Sequence, residues 1–125
     1  MTRTRIKICG ITNYEDAANA VACGTDALGF IFFKDSKRYI LPEKAAEICA
    51  QVPAFIATVG LFVNEPLEDV NRTIERAQLD LVQFHGDETP EYCDSVGHRY
   101  IKAIRATSRE QIAFEAQSFE SARAI

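Results

Sequence analysis

Five runs of mostly apolar residues recur along the chain, and helical patterns lie between them. The runs are 5–9 (RIKIC), 27–32 (ALGFIF), 56–63 (IATVGLFV), 79–84 (LDLVQF) and 99–105 (RYIKAIR). They are near-continuous in apolar residues or enriched in Ile, Val and Phe, as in parallel strands covered on both faces. The intervening stretches open with helix-start signals. Thr12 with Glu15 reads as a capping box ahead of 13–23, and Ser108 with Gln111 as a second ahead of 108–117. Pro42 suits the first turn of 42–51, Pro66 that of 66–77, and Thr89-Pro90 opens 89–96. Gly24 and Gly97 read as helix stops. No linker or low-complexity stretch interrupts the pattern, so residues 1–125 read as one domain.

Strict alternation of strand and helix leaves two α/β architectures, a doubly wound open sheet or a (β/α)8 barrel. The 125 residues favour the open sheet, because a full barrel usually needs about 200 or more. The last residues point the other way. After the fifth helical stretch, "ESARAI" resembles the lead-in to a sixth strand. The expectation is a single partial barrel over 1–125, truncated after about five βα units.

Composition narrows the function classes. The chain is 47% hydrophobic and 26% charged, ordinary for a globular domain. A net charge of −4 and a pI near 5.2 argue against nucleic-acid or membrane-surface partners, which call for a basic patch. No apolar run approaches the roughly 20 residues that cross a bilayer. Residues 1–5 (MTRTR) lead into a strand pattern rather than a signal-peptide core, and the chain reads as cytoplasmic. Four cysteines, Cys9, Cys23, Cys49 and Cys93, lie far apart without Cys-x-x-Cys or a histidine at ligand spacing. This excludes the usual zinc patterns and leaves reduced thiols. Cys23 and Cys49 near helix ends, and Cys93 within a short helix, read as inert.

Both architectures bind ligands at the C-terminal ends of their strands. Cys9 follows the first strand there, Lys34 to Arg38 (KDSKR) the second, Asn64 the third and His85 the fourth. Taken singly, Arg38 reads as a solvated loop charge and His85 as a satisfied turn residue. Together, a thiol, a guanidinium and an imidazole at the ends of the first, second and fourth strands form a small-molecule site.

The motifs "KICGIT" at 7–12, "GTDALGFIFFKDSKRYI" at 24–40, "VGLFVN" at 59–64 and "LDLVQFHGDE" at 79–88 occur in this order. In sequence and spacing they resemble phosphoribosylanthranilate isomerase of tryptophan biosynthesis. The resemblance implies a (β/α)8 TIM barrel and an Amadori rearrangement of N-(5-phosphoribosyl)anthranilate to 1-(2-carboxyphenylamino)-1-deoxyribulose 5-phosphate. It also implies no metal and no organic cofactor. On this resemblance Cys9 is the general base that takes the proton from C2 of the sugar. Arg38 binds near the anthranilate carboxylate, where a planar guanidinium suits better than an ammonium. His85 contacts substrate.

A free thiol has a pKa of about 8.5, so a thiolate base gains from neighbours that favour its charge. Unpaired N–H groups in the turn at Gly10, or the ammonium of Lys7, are the expected neighbours. Lys7 is two residues before Cys9 and so shares its face of the strand, towards the barrel interior and the substrate. Gly10 would leave room for substrate near the backbone.

The resemblance further implies a general-acid aspartate after a sixth strand and glycine-rich phosphate loops after a seventh and eighth. None lies within the 125 residues, and Asp80, Asp87 and Asp94 belong to other elements. The isolated chain is therefore expected to be weakly stable, to self-associate through the open edges of its first and fifth strands, and to lack isomerase activity. Interior residues such as Ile8 and Ile104 would stay partly exposed. The alternatives are a non-catalytic phosphate-metabolite binding module or a fragment active only with a separate C-terminal half. "GTDALG" at 24–29 does not open a helix, which disfavours the former.

Overall fold

The computed structural model describes residues 2–125. Its elements alternate as the apolar pattern predicts: β1 (Lys7–Cys9), α1 (Tyr14–Ala22), β2 (Ala27–Ile31), α2 (Pro42–Cys49), β3 (Ala57–Phe62), α3 (Leu67–Ala77), β4 (Leu81–Phe84), α4 (Pro90–Ser95), β5 (Tyr100–Lys102) and α5 (Arg109–Ala116). The strands form one parallel sheet in sequential order β1-β2-β3-β4-β5. Sequential order is what a barrel requires; a doubly wound sheet reverses direction at a switch point.

Each strand is shorter than its apolar run, because burial extends past the hydrogen-bond ladder. Leu79, for example, is buried, yet its N–H donates to Ile74 O at the end of α3. Helix starts agree to within a residue. Pro42 occupies the first turn of α2, and Ser108 caps α5 by accepting from Gln111 N. Pro66 is the N-cap of α3 rather than part of its first turn. At α1 the cap is Asn13, not Thr12: Asn13 Oδ1 accepts from Asp16 N, and its amide donates to the Asp16 carboxylate. Gly24 and Gly97 take φ of +88° and +68° just beyond α1 and α4, as helix stops should.

Alternation along the strands divides the residues between two faces. Leu28, Phe30, Phe62, Val82, Phe84 and Tyr100 face the helices and form the main core with Ala17, Ala45, Ile48, Val70 and Cys93. Phe32 stacks on Phe62 at 5.3 Å, while Phe84 meets Tyr92 edge-on at 5.6 Å. The opposite face carries Lys7 and Cys9, then Ala27 and Gly29, Ala57 and Val59, and Gln83.

That second face is concave. Lys7 Nζ on β1 donates to Gln83 Oε1 on β4 at 2.8 Å. Three strand spacings in a flat sheet put β1 and β4 about 14 Å apart, with side chains standing parallel. Curling of the sheet brings the two together. The pattern alone left open whether the sheet would curl or flatten.

Two expectations are corrected. Ile8 alternates with Lys7 and Cys9 and so faces the helix layer, beside Ala20 and Cys23, not the interior. Ile104 lies in the loop beyond β5, where it lines one cleft with His85, Glu115 and Phe119. The β5 edge is also not open along its length. Arg123 N donates to Tyr100 O, Lys102 N donates to Ala124 O, and Ala124 pairs in parallel with Ile101. Residues 123 and 124 thus pair with β5 through an isolated parallel bridge, and β1 keeps the unpaired edge.

Buried titratable groups make stability pH-dependent. Burial pushes the Cys93 thiol up to about 11, and burial together with the Asp80 carboxylate pushes Cys49 to about 11. In the unfolded chain such thiols ionise near pH 8.5, so unfolding at higher pH releases protons. The stabilisation is complete below that value and is lost as pH rises towards 11. The thermal midpoint should fall across pH 9–11, and Cys49→Ala should flatten part of that fall. A midpoint constant over this interval would refute the assignment.

Candidate active site at the C-terminal edge of the sheet

Cys9 ends β1 half-buried on the concave face. The chain then turns through Gly10, whose φ of +87° only glycine adopts readily. Gly10 N and Ile11 N both donate to Gly29 O, at 2.9 and 3.0 Å. These amides are therefore paired, contrary to the expectation that they would be free to favour a thiolate. Gly29, the ladder partner of Cys9, lacks the side chain that would crowd the thiol: a Cβ there would lie 3.0 Å from Cys9 Sγ.

Arg38 reaches the same place from the loop after β2. Tyr39 bridges back to Ile31, and Ile40 N donates to Ile31 O at 3.0 Å, so the loop doubles over the sheet edge. Arg38 Nη1 donates to the Cys9 carbonyl at 2.8 Å. The space over Gly10, expected to admit substrate, is filled by this arginine: a Cβ on Gly10 would lie 2.6 Å from Arg38 Cδ and 2.7 Å from Cζ. The exposed guanidinium keeps further donors for a carboxylate.

Lys7 sits on the Cys9 face as expected, one residue pair deeper, with its ammonium on Gln83. His85 follows β4 with its N–H on Phe62 O at 2.9 Å and an exposed side chain. It lines a cleft of about 780 Å³ together with Asn64, Asp87, Lys102 and Arg105. Cys9, Arg38 and His85 thus share one edge of the sheet, but Cys9 and Arg38 do not line the His85 cleft.

A buried pair behind that cleft was not anticipated. The side chains of Lys102 and Glu88 are 5% and 2% exposed, with Nζ 3.1 Å from Oε1. Lys102 Nζ also donates to Gly86 O at 2.6 Å. Glu88 accepts from Gly86 N on Oε1 and from Asn64 N on Oε2, both at 2.8 Å. Asn64 holds φ +51° and accepts from Asp87 N at 2.8 Å. A signal for this was present. Lys102 shares the parity of core-facing Tyr100 in "RYIKAIR", and a buried ammonium demands a buried acceptor.

A family model described as N-(5′-phosphoribosyl)anthranilate (PRA) isomerase matches residues 6–124. The chain belongs to this family. A relative of that name from Geobacter sulfurreducens is 60% identical over 101 residues, covering 81% of this chain and 50% of its own. One from Citrifermentans bemidjiense is 54% identical over 110 residues, covering 88% and 53%. The crystal structure of the Thermotoga maritima isomerase superposes with a TM-score of 0.91 at 41% identity, over 98% of this chain and 60% of that one. A crystal structure of a phosphoribosyl anthranilate isomerase with reduced 1-(o-carboxyphenylamino)-1-deoxyribulose 5-phosphate also gives 0.91 at 41% identity, over 98% and 63%. The five-stranded sheet is therefore that of a TIM-barrel family. The chain spans about half the length of the curated relatives it matches.

The packing of Arg38 over Gly10 makes a direct prediction. Gly10→Ala should cost about 1–3 kcal/mol in urea unfolding, from both the positive φ and the collision with Arg38. Adding Arg38→Ala should recover the collision part. Strictly additive losses would show that Arg38 does not rest on Gly10.

Proposed function

We propose that these residues carry the base and the carboxylate-binding part of a phosphoribosylanthranilate isomerase. The reaction is the Amadori rearrangement of N-(5-phosphoribosyl)anthranilate to 1-(2-carboxyphenylamino)-1-deoxyribulose 5-phosphate in tryptophan biosynthesis, a cytoplasmic setting that suits four free thiols. The observation that carries this reading is the junction of Cys9 and Arg38. A thiol at the C-terminal end of β1 has a guanidinium hydrogen-bonded to its own backbone carbonyl, in a chain of the isomerase family. The neighbour that binds a reduced carboxyphenylamino-deoxyribulose phosphate supports the substrate class.

In the proposed step, Cys9 as thiolate takes the proton from C2 of the opened sugar. The C2–H electron pair forms the C1–C2 double bond as the C1–N double bond of the protonated imine becomes single. Return of a proton to C1 and loss of one from the C2 hydroxyl yield the ketone, so atoms and electrons balance within an isomerisation. Arg38 holds the anthranilate carboxylate through the donors not used on Cys9, and His85 contacts substrate from the end of β4. Lys7 contributes positive charge beneath the site. Ring opening needs a general acid. Asp80 is engaged with Thr58 N and its hydroxyl, and Asp94 with Ser121, so neither serves.

The test supplies the unmatched half of a full-length relative to the 125-residue chain and measures turnover, with sedimentation first to record self-association through the β1 edge. Activity is expected only with the complement. Turnover by the chain alone would point to a carboxylate on the His85 cleft, where Asp87 is exposed, as the acid. In the active assembly Cys9→Ala should lower kcat by about 10²-fold or more, and retained turnover would remove Cys9 as the base. Arg38→Lys should raise KM by about tenfold with smaller effect on kcat, through loss of the two-pronged carboxylate contact. An unchanged KM would make Arg38 only a brace for the Gly10 turn.

A further inference from the structure

Nothing in the base or carboxylate assignments uses the buried Glu88–Lys102 pair. A structural ion pair inside a barrel wall would be expected to tie helix to strand. This one makes most of its bonds to loop backbone at the ligand edge. Glu88 takes Asn64 N–H from the loop after β3 and Gly86 N–H from the loop after β4, while Lys102 from β5 takes Gly86 C=O. His85 is held on both sides, by its own N–H on Phe62 O and by Gly86 locked at both N–H and C=O. Its imidazole is left exposed to the cleft. Gly86 has no room for a side chain, since a Cβ would lie 2.6 Å from Asn64 Oδ1.

We propose that Glu88 is a positioning residue for substrate binding: its buried carboxylate, neutralised by Lys102, locks two loops from different strands so that His85 and Asn64 face the ligand in one fixed arrangement. This rests on the isomerase reading for the identity of the ligand. The geometry accounts for why a charge is buried there at all. A neutral side chain could not accept two amide N–H groups and an ammonium together, and a lone carboxylate would not stay ionised away from water. Shortening the side chain should therefore release the loops without removing the charge.

Glu88→Asp is the decisive variant, with Glu88→Gln beside it should the shorter side chain prevent folding. Amide hydrogen exchange reads the lock directly. Exchange at Asn64 and Gly86 should quicken by about tenfold or more relative to the ladder amides of Val59 and Val82. Binding of reduced 1-(o-carboxyphenylamino)-1-deoxyribulose 5-phosphate to the assembly with the complementing half, followed by calorimetry, reads the consequence. His85→Ala should weaken it by about tenfold in the unsubstituted chain but by less than about twofold in the Glu88→Asp background, because a released His85 no longer contributes. Unchanged exchange at the two loop amides, or fully additive losses of affinity, would overturn the proposal. Failure of the complemented protein to bind the analogue would overturn the isomerase reading instead, and the exchange comparison would still decide whether Glu88 holds the loops.

Discussion

The curl of the parallel sheet is the constraint on which the site depends. A flat five-stranded sheet would point Lys7, Cys9 and Gln83 out of the plane in parallel, each alone in solvent. Curling turns the same face into a concavity, and the Lys7–Gln83 bond spans it. Small residues at Ala27, Gly29 and Ala57 line this face between β1 and β4, leaving room for the lysine to pass and for the Cys9 thiol to sit beside its ladder partner. The aromatic rings go to the other face, against the helices, where Phe30, Phe62 and Phe84 are the largest fully buried side chains.

Two sets of polar contacts then organise the C-terminal edge, by different means. Around β1 the work falls to backbone and glycine. Gly29 O holds the two amides of the turn, and Gly10 clears the space that Arg38 fills. Around β3, β4 and β5 a buried charge does it, with Glu88 and Lys102 drawing three strand ends together. Burying an ion pair brings little net stability over an apolar pair of the same volume, while removing one partner costs about 3–5 kcal/mol. Its presence fits a need for geometry better than a need for stability.

Much of the fold was legible along the chain. Near-continuous apolar runs separated by capped helical stretches require parallel strands with crossover helices, since such strands need cover on both faces. "KICGIT", "KDSKR" and "QFHGDE" marked the strand ends where chemistry collects. The N-cap at Asn13 was missed because two neighbouring polar residues both satisfy the capping pattern, and only backbone geometry separates them. Ile8 was placed on the wrong face although the interior assignment of Lys7 and Cys9 already puts the residue between them on the opposite one.

Residue order alone determined the element order, the strand ends that carry Cys9, Arg38 and His85, and the shared face of Lys7 and Cys9, because these follow from local periodicity and capping chemistry. Only the tertiary structure decided that the Gly10 amides are paired, that Arg38 lies over Gly10, that Lys7 reaches Gln83, and that Glu88 finds both Asn64 and Gly86. All but the Glu88–Gly86 bond, which links residues two apart, join groups brought close by the curl and register of strands separated in the chain. Hydrogen bonding acts over about 3 Å, and no local pattern specifies which distant groups will come within that distance.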